Sequence, residues 1–182
     1  MRLMTQMTAA LLGSALLSTT AGAAPTQGTL GATSTGSIQI NASVPTRVRI
    51  SGLTDVTLAN LDPTANAVAA QNVCVWSNSS TRGYRITATG SGTGNAFTLA
   101  NGALSAVPYA VEWGGSTGLS SGTALSAGAP LPGQVSTATR ADCSAGPASS
   151  ASLIVRLAAA DLQQMSAATN YTGTLTLLVA PE

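Results

Sequence analysis

Apolar and polar residues alternate in short segments from about residue 37 onward. Alternation with a period of two is typical of β-strands that bury one face. The segments are Ser37–Val44, Arg47–Ile50, Val73–Trp76, Tyr84–Ala88, Ala96–Leu99, Val107–Trp113, Ser152–Leu157 and Thr172–Ala180. No segment shows three turns of helical periodicity, and the only helical signal, Ala158 to Met165, predicts one or two turns. The pattern therefore predicts about seven or eight short strands.

The connections between these segments are rich in Gly, Ser, Ala and Thr, which favour turns. This composition predicts a flexible leader over residues 24–36 and long surface connections over residues 114–126 and 127–146. The glycine-rich stretch Gly90–Asn95 lacks a lysine and a following helix, so it predicts a hairpin loop and no phosphate site. Short strands separated by turns predict an all-β fold, an immunoglobulin-like antiparallel sandwich formed by residues 37–182.

The two ends of this domain show complementary patterns. The last segment places Leu175, Leu177 and Val179 on one face and lies close to Glu182, so we expect no further strand beside it. Uncharged apolar edge strands are avoided in monomers because their backbone groups pair with other chains. At the other end, Ser37–Val44 places four apolar side chains on one face: Ile38, Ile40, Ala42 and Val44. This segment is either the domain's own first strand or a strand donated to another sheet.

The N-terminus predicts export from the cytoplasm. Arg2 supplies a positive charge, Ala9 to Leu17 is apolar, and Ala21-Gly22-Ala23 has the small residues of a cleavage site. Residues 1–23 are therefore a predicted signal peptide, with cleavage after Ala24 as the alternative. No later segment has the length of apolar residues that spans a bilayer, so we expect no transmembrane segment after signal removal.

The cysteine count predicts one disulfide. Cys74 and Cys143 are the two cysteines of the chain, and an even number in an exported protein is typical of structural bridges. A reactive or metal-binding pair is the competing interpretation, but it lacks a histidine partner and a close CxxC spacing.

Charge and composition exclude several functions. The chain has seven arginines, no lysine, six acidic residues and no histidine. This balance cannot form the basic surface that nucleic-acid binding requires, so we expect no nucleic-acid partner. A chain without histidine has no Ser-His-Asp triad and no histidine metal site. We expect no catalytic residues, no metal and no cofactor, and we expect that the protein is not an enzyme.

Three blocks of sequence together resemble one protein family. They are Gly36 to Val44, Cys74-Val75-Trp76 with the distant Cys143, and the ending Tyr171 to Glu182. In this order they are similar to the chaperone-usher pilins, in particular the archaic branch with spore coat protein U domains. Many members of that family carry a cysteine soon after the first strand, whereas this chain has Pro45 to Arg49 there.

The resemblance implies a fold and a function. It implies an immunoglobulin-like pilin domain that lacks its last strand and is a structural subunit of a pilus, or fimbria, of a Gram-negative bacterium. Such a subunit is held by a periplasmic chaperone and polymerises head-to-tail at an outer-membrane usher by donor-strand exchange. On this chain the donor strand is 35–44, with Ile38, Ile40, Ala42 and Val44 filling the pockets. The acceptor groove is lined by Leu175, Leu177 and Val179.

Two other functions stay open from the sequence. One is a secreted single-domain sandwich, monomeric and adhesin-like, that binds a carbohydrate or a surface and presents an exposed aromatic patch. The other is a hydrolase, for which a glycosidase would need two of the scattered acidic residues to converge in a pocket.

Overall fold

The computed structural model describes residues 24–182, so the predicted signal peptide 1–23 lies outside the described residues. The chain divides into a unit that ends at Val44 and a compact unit, Pro45–Glu182. The strands are β1 Val48–Ser51, β2 Ala67–Ser77, β3 Gly83–Gly90, β4 Thr98–Leu99, β5 Val107–Pro108, β6 Ala110–Gly114, β7 Thr123–Ala124, β8 Pro130–Val135, β9 Ala151–Leu157 and β10 Leu175–Pro181. A short 3₁₀ helix, Thr93–Asn95, and one α-helical turn, α1 Ala159–Leu162, complete the compact unit.

The strands form two main antiparallel sheets. The larger sheet has the order β1-β2-β9-β6-β7, the smaller has β10-β3-β8, and β4 pairs with β5. All pairs are antiparallel. The predicted all-β antiparallel sandwich is therefore confirmed, although the structure has ten strands where about seven or eight were expected.

The core lies between the inner faces of the two main sheets. The smaller sheet contributes Tyr84, Ile86 and Ala88 from β3, which are fully buried. The larger sheet contributes Val73, Val75, Trp113, Leu153, Val155 and Leu157 to the same cluster. Trp113 meets Tyr84 edge to face, and its indole N–H donates a hydrogen bond to the Tyr84 hydroxyl at 3.2 Å. This contact joins the two sheets at the centre of the core and satisfies both buried polar groups.

The disulfide closes one side of the larger sheet. Cys74 and Cys143 are bonded, with their Cα atoms 6.1 Å apart, as the cysteine count predicted. Both cysteines are buried, and half-buried Trp76 packs against them. Because Val73 and Val75 face the core, Cys74 and Trp76 lie on the opposite face of β2. The loop that carries Cys143 therefore covers part of the outer face of the sheet.

Several sequence-based boundaries were wrong. The predicted surface connections 114–126 and 127–146 contain β7 and β8. β8 pairs with β3 despite its two prolines and its glycine, with an irregularity between Tyr84 and Ile86. The predicted strand Val107–Trp113 divides at Tyr109 into β5 and β6, which pair with different partners.

The stretch Gly90–Asn95 is not a hairpin loop. β3, which precedes it, pairs with β10 and β8, whereas β4, which follows it, pairs with β5. The stretch therefore connects strands of different sheets. Its backbone is held locally by a hydrogen bond from the Gly92 N–H to the Ala96 carbonyl.

Candidate functional site

A groove of about 440 Å³ opens into the core of the compact unit. Its floor is formed by inward side chains of β9, its first wall by the segment that follows β1, and its second wall by the residues that precede and begin β10. The apolar residues that line it are Leu53, Val56, Leu58, Leu61, Leu99, Tyr109, Leu153, Val155, Leu157, Met165, Tyr171 and Leu175. The groove therefore gives a ligand access to an apolar surface that is continuous with the core.

The first wall forms because the chain leaves the larger sheet after β1. Gly52 has a φ of +78°, a conformation that glycine adopts without steric cost, and it ends the pairing of β1 with β2. Gln71 of β2 then holds the departing chain. Its Oε1 accepts a hydrogen bond from the Thr54 N–H at 2.8 Å, and its Nε2 donates one to the Thr54 carbonyl at 3.0 Å. A side chain thus replaces the next step of the β1–β2 ladder.

The second wall begins at an open sheet edge. β10 is the outer strand of the smaller sheet and pairs only with β3 among residues 24–182. The backbone N–H of Glu182 bonds to Gly83, and Thr172 exchanges two hydrogen bonds with Ala100. In a regular antiparallel ladder, alternate residues point their backbone groups to opposite edges. The N–H and C=O groups of Leu175, Leu177 and Val179 therefore point to the open edge.

The same three residues direct their side chains toward the core. Leu175, Leu177 and Val179 are half-buried and pack against the core cluster, whereas Leu178 between them is 64% exposed. Leu175 also lines the groove, whereas Leu177 and Val179 lie farther along β10, outside the groove lining. The structure thus places one of the three predicted acceptor residues in the groove itself.

Most of the groove residues were not predicted as part of a site from the sequence. Leu53, Leu58 and Leu61 lie in a stretch between two predicted strands, Met165 ends the predicted helical segment, and Tyr171 directly precedes the last predicted strand. The available signal was three leucines in nine residues that fit no strand period. Leucines in such a stretch need a nonlocal apolar contact, but the sequence does not say where that contact lies.

The predicted donor segment is exposed to solvent. Residues 38–44 form no strand, and the exposed fractions of Ile38, Ile40 and Val44 are 75%, 83% and 80%. Ala42 is exposed as well. The residue before this stretch, Ser37, is paired with Thr26 by two backbone hydrogen bonds of 2.9 and 3.0 Å. The leader therefore folds back on itself at its junction with the segment.

Three carboxyl groups of the described chain have pKa values lowered by hydrogen bonds. The Arg156 guanidinium at 2.7 Å, and next the Gly122 N–H, lower the pKa of Glu112. Hydrogen bonds from Thr64 lower the pKa of Asp62, and hydrogen bonds from Ser144 lower that of Asp142. A general acid needs a raised carboxyl pKa near neutral pH. The groove lining contains a single carboxylate, Asp55.

Within residues 24–182, the structure contains no group of three His, Cys, Asp or Glu side chains that could hold a metal ion. Nor does that part of the chain contain a helix long and apolar enough to cross a membrane. Of the two tryptophans, Trp113 is buried in the core and Trp76 packs on the disulfide. Neither tryptophan forms part of the groove lining.

A functional assignment rests on the groove and the open edge, because the comparisons of the sequence with known proteins found no match. No protein-family model matches the chain, and no similar sequence is found among curated proteins.

Proposed function

We propose that the protein is a structural subunit of a pilus or fimbria and polymerises by donor-strand exchange. The observation that carries the proposal is the open edge of β10, where Leu175, Leu177 and Val179 combine half-buried apolar side chains with backbone groups that point to the edge. Such an edge is a template for a strand from another chain. The occupant we propose is the segment 35–44 of a second copy.

The backbone pattern of the segment fits this edge when the two strands are antiparallel. Opposed residues of an antiparallel pair share a face, and in every second pair their N–H and C=O groups point at each other. With Ile38, Ile40 and Ala42 facing the core, their backbone groups face β10. The backbone groups of Ser37 then face away from β10, where Thr26 already pairs with them. The folded leader therefore does not compete with docking.

The energetics favour docking of this segment. Ile38 and Ile40 are largely exposed in the monomer, and burying each side chain contributes roughly 1.5–3 kcal/mol. Each backbone hydrogen bond to β10 adds about 0.5–1.5 kcal/mol. Ordering the segment offsets part of this gain. The expected result is a tight, strand-completing contact between subunits.

Donor and acceptor are different surfaces of one molecule, so the contact is heterologous and propagates into a fibre unless the rotation closes a ring. Before assembly an exposed apolar edge would aggregate, so we assign the task of covering this edge to a periplasmic chaperone. An outer-membrane usher would then exchange the chaperone for the next subunit. This proposal places the protein in the periplasm in transit and afterwards at the cell surface.

A synthetic peptide of residues 35–44 tests the proposal. We expect the peptide to stabilise the mature chain by about 2.7 kcal/mol at one hundred times its Kd, because it binds only the folded domain. The readout is the midpoint of thermal unfolding in a peptide titration. A midpoint that does not move at any peptide concentration, for a chain that stays monomeric, would favour a self-contained binding domain.

Two peptide variants make the test specific. Ile40→Asp places a charge on the core-facing side of the docked segment, against apolar side chains, and should abolish stabilisation. Asn41→Asp adds the same charge on the opposite face of the segment and should leave stabilisation nearly unchanged. Equal loss of binding in both variants would mean that the peptide does not dock with the predicted face inward.

A further inference from the structure

The three residues that join the exposed segment to β1 are fixed by one side chain. The Oδ1 atom of Asn78 accepts a hydrogen bond from the Arg47 N–H, and its Nδ2 donates one to the Pro45 carbonyl at 3.0 Å. The Asn78 N–H also donates to the Arg47 carbonyl at 3.1 Å. Asn78 follows the last residue of β2. Residues 45–47 are thus tied to the sandwich before β1 begins.

This arrangement requires the chemistry of an asparagine. Its side chain carries both a donor and an acceptor, and here one meets the N–H of Arg47 while the other meets the carbonyl of Pro45. Pro45 adds a second restraint, because its ring fixes its own φ and limits the conformations of Val44. Free backbone rotation in the junction is therefore confined to residues before Pro45.

The turn between β2 and β3 does not need the Asn78 side chain. The Ser77 hydroxyl donates to the Gly83 carbonyl at 3.0 Å, and the Arg82 N–H donates to the Ser79 carbonyl at 2.9 Å. These bonds hold the turn, whereas the hydrogen bonds described for Asn78 all go to residues 45–47. The Asn78 side chain therefore stabilises residues 45–47 and not the turn between β2 and β3.

We propose that Asn78 is a positioning residue that couples the exchanged segment mechanically to its own domain. The proposal rests on the function inferred above. In a fibre, the segment of one subunit is locked in the next subunit, so residues 45–47 are the covalent joint between neighbouring domains. A joint held by Asn78 gives a stiff fibre, and release of the clamp converts the joint into a flexible hinge without altering the docking face.

The variant Asn78→Ala in the full mature chain tests the clamp in the monomer. Loss of the side-chain acceptor should raise the amide exchange rate of Arg47 about ten-fold, because its N–H would open without global unfolding. Asn66→Ala is the matched control, since the Asn66 side chain also accepts a backbone hydrogen bond, from Ala159 at 2.9 Å. The control should leave Arg47 exchange unchanged. Unchanged exchange in Asn78→Ala would overturn the clamp.

The fibre itself tests the coupling. We expect the persistence length of Asn78→Ala fibres, measured on electron micrographs, to fall to about half that of wild type. The variant loses both side-chain bonds to residues 45–47 and keeps only the backbone bond from residue 78 to the Arg47 carbonyl. Asn78→Asp retains the acceptor for Arg47 and loses the donor to Pro45, so its fibres should be intermediate. Faster Arg47 exchange with unaltered fibre stiffness would overturn the coupling and leave the clamp in place.

The exchange measurement on the monomer and the stiffness measurement on the fibre distinguish the two proposals. If the wild-type chain forms no fibres and ignores the 35–44 peptide, the proposed function fails and the coupling fails with it. Arg47 exchange still decides whether the clamp exists. If wild type forms fibres and Asn78→Ala fibres are equally stiff, only the coupling fails.

Discussion

The two ends of the sandwich differ in how they satisfy backbone groups that have no neighbouring strand. At one end, β2 runs past the end of β9, and the backbone groups of Val75 are met by the buried hydroxyls of Ser136 and Ser150. The Cys74–Cys143 bond covers the same end. At the other end, β10 presents an open edge beside an apolar groove. The chain seals one end with its own loop and exposes the other, so we expect stability to reside in the first and binding in the second.

Removal of the disulfide should have the largest effect on stability. Replacing both cysteines by serine frees a loop defined by a sequence separation of 69 residues, and the chain-entropy model predicts a loss of about 4 kcal/mol. The measurement is urea denaturation of the double variant against wild type. A loss below about 1 kcal/mol would show that the closed end does not dominate stability.

Loss of a single buried hydroxyl at the closed end should come next. Ser150→Ala leaves the Val75 N–H without the hydroxyl that now accepts its hydrogen bond, a cost of about 1–3 kcal/mol. Ser149→Ala is the matched control, since Ser149 shares an exposed hydrogen bond with Thr117. We expect a change within about 0.5 kcal/mol for the control. Equal effects in thermal unfolding would mean that the buried hydroxyl has no special role.

A side-chain truncation at the open end should cost less. Leu175→Ala removes a half-buried leucine next to the groove, and we expect a loss of about 1 kcal/mol, below the 2–5 kcal/mol typical of buried sites. Leu178→Ala, on the exposed face of the same strand, should be nearly neutral. The 35–44 peptide should also stabilise the Leu175→Ala variant less than it stabilises wild type. A full peptide response would place the docking surface elsewhere.

Acid should have the smallest effect of the four. Hydrogen bonds from Arg156 and Gly122 lower the pKa of Glu112 in the folded state. The ion pair therefore stabilises the fold above the ordinary glutamate pKa of about 4.3 and loses that contribution as the pH falls through the folded-state value. A partly exposed pair contributes roughly 1 kcal/mol or less. Glu112→Gln should reduce the stability difference between neutral and acidic pH by this amount in urea titrations, and an unchanged difference would contradict it.

Sequence patterns predicted the strands that have one clear apolar face. Tyr84–Ala88 and the last strand were located within a few residues because their alternation matches their burial. Ser152–Leu157 was located as well, although both of its faces are buried. β8 was missed because its Pro130, Pro132 and Gly133 are turn residues, and only pairing with β3 makes it a strand. The first half of β2 was missed because Ala67 to Asn72 has little apolar contrast between its faces.

The candidate site was only partly predictable, for a related reason. The inward face of β10 followed from local alternation, and Leu175, Leu177 and Val179 do face the core. The opposite wall of the groove depends on where the chain goes after Gly52, which is set by the Gln71–Thr54 hydrogen bonds across the sheet. The alternation of Ser37–Val44 could not say whether the segment has a partner, because the pattern is the same in both cases.

Three features followed from the amino-acid sequence alone: the all-β class, the inward faces of the strands with clear alternation, and the bond between Cys74 and Cys143. Each depends on a local period or on a simple count. Three features depend on the tertiary structure: the place of β10 at the outer edge of its sheet, the position of the groove, and the hydrogen bonds between Asn78 and residues 45–47. These features depend on the choice of partners far apart in the chain. Many strands of this chain have similar patterns, so the pairing of each strand is determined only when the whole core packs.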